Sequence, residues 1–188
     1  HSARTTRRQE FYQFGHTEDF RNVIGLRYGL LPYIYSEFMK AAVTGDMMFL
    51  PLAFLYPEDR SAAEVEDQLM VGEAMMIAPV YRQNARGRYV YLPEEMKLYR
   101  MRSLDSMDQE ILPAGHHYVR AELNEVLVFV RPDQVVPMSQ GGCCVEEVDM
   151  SRLNLLHFVK TEAVCELYHD DGVSRKIDFE KGITRITV

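Results

Sequence analysis

Long apolar runs and positive charge are both scarce in this sequence. No apolar run approaches the roughly 20 residues that a helix needs to cross a bilayer, so we expect no membrane-spanning segment. The 28 Asp and Glu residues outnumber the 21 Lys and Arg, which gives a net charge of -7. Because nucleic acids and anionic lipids are bound by clustered Lys and Arg, we expect neither nucleic acid nor a membrane as a partner.

Cysteine is scarce as well. The three cysteines, Cys143, Cys144 and Cys165, are an odd set with one adjacent pair, which is a poor disulfide framework. Reduced thiols in a cytoplasmic protein are the simpler interpretation. A metal site is not expected, because no C-x-x-C motif accompanies these residues, and no motif indicates a cofactor.

A long helical pattern dominates the first quarter of the chain. Between residues 20 and 45, apolar residues recur at steps of three and four, which places them on one face of a helix about 40 Å long. Thr17 is the predicted N-cap, and Gly45 is the predicted left-handed residue at the C-terminal end. Pro32, helped by Gly29, is expected to kink the helix. The apolar face comprises Phe20, Val23, Ile24, Leu31, Ile34, Tyr35, Phe38 and Ala42.

The remainder of the chain is dominated by β patterns. Residues 47–56 predict an extended segment, and the capping box formed by Ser61 and Glu64 predicts a helix over residues 62–71. Short apolar or alternating segments separated by turns then predict a β-sandwich. The expected fold class is α+β, mainly β, with a sandwich that covers only part of the long helix. The predicted strands are 74–81, 88–92, 97–102, 118–123, 126–130, 135–138, 153–159, 164–168, 177–179 and 183–188.

Three groups of side chains could carry chemistry, and each has a simpler structural interpretation. Asp170 and Asp171 are an adjacent carboxylate pair, which is more typical of an Asx-turn in a β-hairpin. His116 and His117 are neighbours on a strand, so their rings diverge to opposite faces and form no metal pair. The tyrosines of the strands could stack on sugar rings, although burial in the core is the commoner reason for such residues.

Six blocks of sequence together carry a family resemblance. They are RYGLLPYIYSEFMKAA, FLPLAFLYPED, VEDQLMVGEAMMIAPV, GRYVYLPEE, VFVRPDQVVPM and LYHDDG. In this order they resemble the C-terminal third of glycoside hydrolase family 31, the α-glucosidases and α-xylosidases. Two departures affect the sandwich loops. The tryptophan that often follows the VYLP block is absent, since the chain has no Trp, and Pro132-Asp133 replaces the usual glycines.

The resemblance implies a TIM-barrel catalytic domain followed by two β-sandwich domains. By analogy, residues 1–46 are the end of the (β/α)8 barrel: the tail of its last strand, a loop and its terminal helix. Residues 47–138 are then the proximal C-terminal β-sandwich, and residues 139–188 are the start or remnant of a distal β domain. The long helix thereby gains an expected partner, the rest of the catalytic barrel. Self-association through the helix at residues 20–43 is the alternative.

The resemblance also implies a chemistry. Family members retain the anomeric configuration by means of two aspartates on earlier barrel strands, and such carboxyls lie about 5–5.5 Å apart. The motifs that hold them do not occur in this sequence, so we nominate no catalytic residue and expect no hydrolysis by this chain alone. His1, followed by Ser2-Ala3-Arg4, matches the family histidine that hydrogen-bonds the sugar at the cleavage subsite.

The expected function is therefore that of the C-terminal segment of a retaining α-glucosidase, which hydrolyses terminal α-linked glucose from α-glucoside oligosaccharides. Two alternatives stay open. One is an α-xylosidase of the same family. The other is a non-catalytic β-sandwich scaffold or carbohydrate-binding module.

Overall fold

The structure, a computed structural model, describes residues 10–175 and 178–188. A 3-10 helix (Phe11–Gln13) leads into two long helices, α1 (Thr17–Gly29) and α2 (Leu31–Thr44), and two one-turn helices follow, α3 (Leu52–Leu55) and α4 (Arg60–Ala63). Two further 3-10 turns are Val145–Glu147 and Glu180–Gly182. The strands of the described residues are β1 (Phe49–Pro51), β2 (Leu69–Val71), β3 (Met75–Ile77), β4 (Gly87–Leu92), β5 (Met96–Ser103), β6 (Ser106–Leu112), β7 (Gly115–Arg120), β8 (Val126–Val130), β9 (Gln134–Met138), β10 (Asn154–Phe158), β11 (Val164–Tyr168) and β12 (Ile183–Thr187).

A six-stranded antiparallel sheet, in the order β1-β2-β3-β8-β5-β6, forms the middle of the fold. Successive side chains of its strands enter two different cores, as the two-residue period of a strand requires. On β8, Val128 and Val130 join the core beneath α1, α2, β9 and β10, whereas Leu127 and Phe129 join the core beneath α3, β4 and β7. The predicted mainly β, α+β fold is confirmed.

Three antiparallel strand pairs surround this sheet: β4 with β7, β9 with β10, and β11 with β12. A small cluster of Val135, Ala163 and Cys165 links the last two pairs. The two-stranded ribbon of β4 and β7 has one buried face and one open face. On β4, Val90 and Leu92 are buried while Tyr89, between Arg88 and Val90, points to solvent.

The long helical pattern is interrupted at Leu30, which separates α1 from α2. Pro32 has no N–H to donate to the carbonyl of Tyr28, so the helix loses a backbone hydrogen bond at this point. Ser139 supplies replacements: its backbone N–H donates to the Gly29 carbonyl at 2.8 Å, and its hydroxyl lies 3.4 Å from the Tyr28 carbonyl. The helix is interrupted close to Pro32, where a kink was predicted, and the interruption is also an attachment point for the chain that follows β9.

Of the two predicted ends of the helix, the C-terminal one is correct and the N-terminal one is wrong. The prediction of Thr17 as N-cap is wrong, because His16 holds that position without a side-chain cap and Thr17 is the first helical residue. Gly45 ends α2 as predicted, with a φ of 81°. This left-handed conformation costs glycine little, because glycine has no Cβ to clash with the backbone.

The predicted helix over residues 62–71 is wrong. Asp59 rather than Ser61 is the N-cap, and its carboxylate accepts from the N–H groups of Ser61 at 2.9 Å and Ala62 at 3.2 Å. The helix ends after one turn, and residues Leu69–Val71 form β2 between β1 and β3. Pairing on both sides outweighs the local helix signal. The extended segment predicted for residues 47–56 is correct only for β1, because α3 follows it directly.

The β-hairpin predicted around the turn at residues 169–172 is also wrong, because the strand that pairs with β11 was placed too early in the sequence. β11 pairs with β12, so residues 169–182 form one long connection. Asp178 and Phe179 of the predicted strand 177–179 are not in a strand, and Ile177 lies outside the described residues. β6 was missed altogether.

Asp133 shows how the chain departs from the glycines that the resemblance leads one to expect. Its φ of 54° is in the left-handed region, where a side chain is disfavoured. Its carboxylate accepts from the backbone N–H groups of Lys160 at 2.7 Å and Thr161 at 2.8 Å, and these bonds lower the pKa of the carboxyl. The side chain thus ties the β9 turn to the loop after β10, which offsets the backbone strain.

Candidate functional site

The predicted sugar ligand, His1, lies outside the described residues, so its role stays a prediction. Within residues 10–175 and 178–188, no group of three or more His, Cys, Asp and Glu side chains is arranged to hold a metal ion. None of the helices in this part of the chain is both long enough and apolar enough to span a bilayer. Three other features of the described residues could form a site: the helix pair, the loop after β11 and the exposed tyrosines.

The inner face of the helix pair is buried by the chain itself. Leu26 is 2% exposed, and Tyr33, Ser36 and Met39 follow it at helical spacing, all buried. The Tyr33 hydroxyl donates to the carbonyl of Val71 at 2.6 Å, which anchors α2 to the middle sheet. Burial raises the pKa of Tyr33 well above its ordinary value, so the ring is a neutral hydrogen-bonding anchor.

Ser36 fixes α2 to the last strand pair. Its hydroxyl donates to the carbonyl of Pro32 at 2.7 Å and accepts from the backbone N–H of Tyr168 at 2.8 Å. The hydroxyl is thereby the acceptor for a buried backbone N–H of β11 that points away from the paired strand β12. This contact was not found by periodicity, because a serine on a helix face gives no apolar signal.

The outer face of the helix pair is open. None of the eight residues predicted as the apolar face is buried, and Phe38 is 54% exposed. We use the term outer face for the large apolar residues that this side of the helix pair exposes to solvent. It presents four large apolar side chains to solvent, and exposed apolar surface of this kind marks interaction sites. Its members are Val23, Ile24, Tyr35 and Phe38.

A polar cavity of about 300 Å³ lies between α2 and the pair β11–β12. Glu37, Cys165 and Arg185 are among its lining residues. Burial raises the pKa of the Cys165 thiol to about 12, so the thiol is protonated and a poor nucleophile at neutral pH. Burial likewise raises the pKa of Glu37. The cavity is a packing feature of the helix–sheet junction, with no activated nucleophile among the side chains described there.

The Asp170-Asp171 pair forms Asx-turns, as predicted. Asp170 accepts from the N–H of Gly172 at 2.9 Å, and Asp171 accepts from the N–H groups of Val173 at 3.0 Å and Ser174 at 2.8 Å. The Ser174 hydroxyl and these N–H groups lower the pKa of Asp171 to about 2. The Tyr35 hydroxyl donates to Asp170 at 2.6 Å. Asp170 therefore fixes the loop against α2, and Asp171 fixes the turn within the loop.

The two histidines diverge, as predicted for strand neighbours. On β7, His116 is exposed and its ring lies 4.8 Å from that of Tyr91, whereas the Nε2 of His117 contacts the carbonyl of Pro113 at 2.7 Å. Some of the strand tyrosines are buried in the core and others are exposed, where they could stack on sugar rings. Tyr99 is buried, but Tyr89 and Tyr118 are exposed on the open face of the β4–β7 ribbon.

Comparison with known proteins gives a consistent family. The model of the glycosyl hydrolases family 31 TIM-barrel domain matches residues 1–37, and the model of the glycosyl hydrolase family 31 C-terminal domain matches residues 45–136. Alpha-glucosidase 2 of Bacillus thermoamyloliquefaciens is 30% identical over 188 residues, which cover 97% of this chain and 23% of the relative.

Solved structures agree with the sequence matches. A family 31 dextranase of Flavobacterium johnsoniae, determined with bound glucose, is 28% identical and superposes with a TM-score of 0.74, covering 95% of this chain and 22% of that one. A family 31 α-xylosidase of Xanthomonas citri is 27% identical with a TM-score of 0.67, covering 79% of this chain and 16% of that one. The chain thus spans less than a quarter of the length of these relatives. It belongs to glycoside hydrolase family 31 and corresponds to the C-terminal portion of the enzymes of that family.

Proposed function

We propose that this chain is the C-terminal segment of a retaining α-glucosidase, an enzyme that releases terminal α-linked glucose from α-glucoside oligosaccharides. Alpha-glucosidase 2 of Bacillus thermoamyloliquefaciens supports this choice, since it aligns with nearly the whole chain. The α-xylosidase likeness supports the alternative of xylose release, through a similar C-terminal portion. In either enzyme this segment is a support for the catalytic barrel and the chemistry takes place elsewhere.

The two-faced helix pair is the observation that carries the proposal. Its inner face packs on the sheet of this chain, while its outer face leaves Ile24 and Phe38 in contact with solvent. In a (β/α)8 barrel the helices form the outer ring and pack one face against the strands. The barrel-domain model ends its match within α2, at residue 37. We infer that the outer face packs against the rest of the barrel, so that the helix pair joins the barrel to the sandwich.

The proposal assigns the described residues no part in bond cleavage. Retaining glycoside hydrolysis requires two carboxyls on opposite sides of the glycosidic bond, one of them free to exchange a proton. Asp170 and Asp171, the one carboxylate pair that the sequence suggested, are held in turns by backbone N–H groups and hydroxyls. His1 is proposed as a sugar ligand of the whole enzyme on the strength of the resemblance alone.

Hydrolysis of p-nitrophenyl α-glucoside tests the division of labour. We expect the purified 188-residue chain to release no p-nitrophenol above the buffer rate, and the longer enzyme that contains it to release p-nitrophenol. A saturable rate with the chain alone would contradict the proposal. The same longer enzyme assayed with p-nitrophenyl α-xyloside separates the two sugar classes, and preference for the xyloside would favour the α-xylosidase alternative.

An exposed outer face also predicts self-association when the barrel is absent. We expect the chain to elute as a dimer or larger species in gel filtration with light scattering, and Phe38→Glu to elute as a monomer. The matched control is Leu123→Glu, which places the same charge at a residue that is 90% exposed and lies outside the outer face. A wild-type chain that is monomeric at high concentration would argue against an adhesive outer face.

The cytoplasm is proposed as the compartment, because the three thiols are unpaired in the structure. Fractionation of the source cells tests this. We expect the enzyme in the cytosolic fraction, and recovery from the secreted or organellar fractions would contradict it.

A further inference from the structure

The open face of the β4–β7 ribbon carries a cleft lined by tyrosines. The cleft has a volume of about 300 Å³, and we call it the tyrosine cleft. Tyr89 and Tyr118 are directly opposite each other in the strand register, and their exposed fractions are 75% and 53%. Their ring centroids are 5.2 Å apart with an interplanar angle of 68°. Its lining includes Asp67, Tyr81, Gly87, Arg88, Tyr89 and Tyr118.

Glycine at position 87 makes the cleft possible. Its φ is 145°, and a Cβ there would lie 2.4 Å from the Val119 carbonyl oxygen and 3.1 Å from the Tyr118 ring. The Tyr118 ring therefore lies over a backbone without a side chain. Two exposed aromatic rings set at an angle form a corner with two π faces.

The floor of the cleft is a fixed ion pair. The guanidinium of Arg88 is nearly buried and binds Asp67 Oδ1 at 2.5 Å, together with the carbonyls of Asp67 at 2.9 Å and Pro79 at 2.8 Å. The Tyr81 hydroxyl donates to Asp67 Oδ2 at 3.0 Å. A carboxylate has about four acceptor sites, so Asp67, whose side chain is 44% exposed, retains capacity to accept from a ligand hydroxyl.

We propose that the tyrosine cleft binds one or two pyranose rings of an α-linked gluco-oligosaccharide. The axial C–H groups of a pyranose carry slight positive charge and pack on the negative faces of aromatic rings, which Tyr89 and Tyr118 offer. The equatorial hydroxyls need fixed acceptors, which the Asp67 carboxylate offers. A polyanion is disfavoured, because Asp67 neutralises Arg88, Arg82 is the one other Lys or Arg among the described lining residues, and the chain carries a net charge of -7.

A second aromatic pair extends the surface along the ribbon. The ring centroids of Tyr91 and His116 lie 4.8 Å apart, and this pair is two residues along the register from the Tyr89–Tyr118 pair. Residues two apart on a strand are separated by about 6.6 Å, so the two pairs suit neighbouring sugar units. The Tyr91 hydroxyl is held by Asp59 at 2.6 Å, which fixes this ring. The site goes beyond the hydrolase role proposed above, and only the choice of an α-glucoside as ligand rests on that role.

Titration of the 188-residue chain with maltotriose and isomaltotriose, followed by NMR of the tyrosine rings and the Gly87 amide, tests the site. We expect saturable shifts at Tyr89, Tyr118 and Gly87. Tyr89→Ala and Tyr118→Ala should each raise the dissociation constant about tenfold, which is about 1.4 kcal/mol. Tyr89→Phe, which keeps the ring, should retain saturable binding. The matched control is Tyr12→Ala, at a tyrosine that is 67% exposed and outside the cleft, and it should leave binding unchanged.

The absence of saturable shifts, or equal binding by wild type and Tyr89→Ala, would overturn the site. Circular dichroism of each variant shows whether a loss of binding is a loss of fold. Preference for cellotriose over both α-linked sugars would overturn the assigned ligand class. The proposed hydrolase function fails by a different result, the lack of p-nitrophenyl α-glucosidase activity in the longer enzyme, which this titration does not measure.

Discussion

The middle sheet and the helix pair bury their apolar side chains in different ways. The sheet is covered on both faces by other parts of the same chain, and its central strand β8 sends Val128 into one core and Phe129 into the other. The helix pair is covered on one face only. The sheet therefore depends on this chain alone, whereas the helix pair has the features of an element shared between two domains.

The largest expected contrast is between two phenylalanines. Phe129 is fully buried in the middle sheet, and Phe38 is 54% exposed on the outer face. We expect Phe129→Ala to lower the free energy of unfolding by about 3–5 kcal/mol, because it removes buried surface and leaves a cavity. Phe38→Ala should change it by less than about 0.5 kcal/mol in the isolated chain. Urea titration measures both, and equal losses would contradict the contrast.

A smaller effect is expected where the inner face meets the last strand pair. Ser36→Ala leaves the backbone N–H of Tyr168 without its acceptor and should lower the free energy of unfolding by about 1–3 kcal/mol. Thr44→Ala is the matched control. Its hydroxyl also donates to a carbonyl four residues earlier, that of Lys40 at 2.9 Å, but on the exposed surface. A loss of under about 0.5 kcal/mol is expected there, and a Ser36→Ala loss no greater than this would count against the junction.

The smallest expected effect concerns Glu37, beside the polar cavity. Burial raises the pKa of this carboxyl above the ordinary 4.5, so the folded chain binds the proton more tightly than the unfolded chain does. The resulting stability is present below pH 4.5 and is lost as the pH rises through the folded pKa. Glu37→Gln should therefore gain stability over wild type between pH 4.5 and 7. A difference in stability between Glu37→Gln and wild type that does not change with pH would refute the assignment.

Sequence reasoning found the elements whose signals are local. The apolar runs of β8 and β9 and the chain break at Pro32 are properties of a few adjacent residues, and the structure agrees with them. The polar strand β6 was missed because, among the strands of the described residues, it is an edge strand whose pairing partner is β5. β2 was mistaken for helix because its identity depends on pairing with distant β1 and β3, which outweighs the nearby capping signal.

The helix pair shows the limit of periodicity most clearly. The pattern correctly indicated one apolar face, but that face is the outer one. The inner face was missed because its apolar residues Leu26, Tyr33 and Met39 are interrupted by Gly29, Pro32 and Ser36, so the apolar repeat is weaker there than on the outer face. The exposure of the tyrosines in the tyrosine cleft could not be predicted from the sequence either. Tyr89 and Tyr99 are both strand tyrosines, and only the packing of the sheets separates the exposed from the buried residue.

Footprinting of the outer face by carbene labelling and mass spectrometry tests the central claim most directly, with the isolated chain and the longer enzyme compared side by side. At a dilution at which the isolated chain is monomeric, we expect Ile24 and Phe38 to be labelled in it and protected in the longer enzyme, and Leu26 on the inner face to be protected in both. Equal labelling of Ile24 and Phe38 in the two proteins would contradict the claim that the outer face packs against the rest of the catalytic barrel.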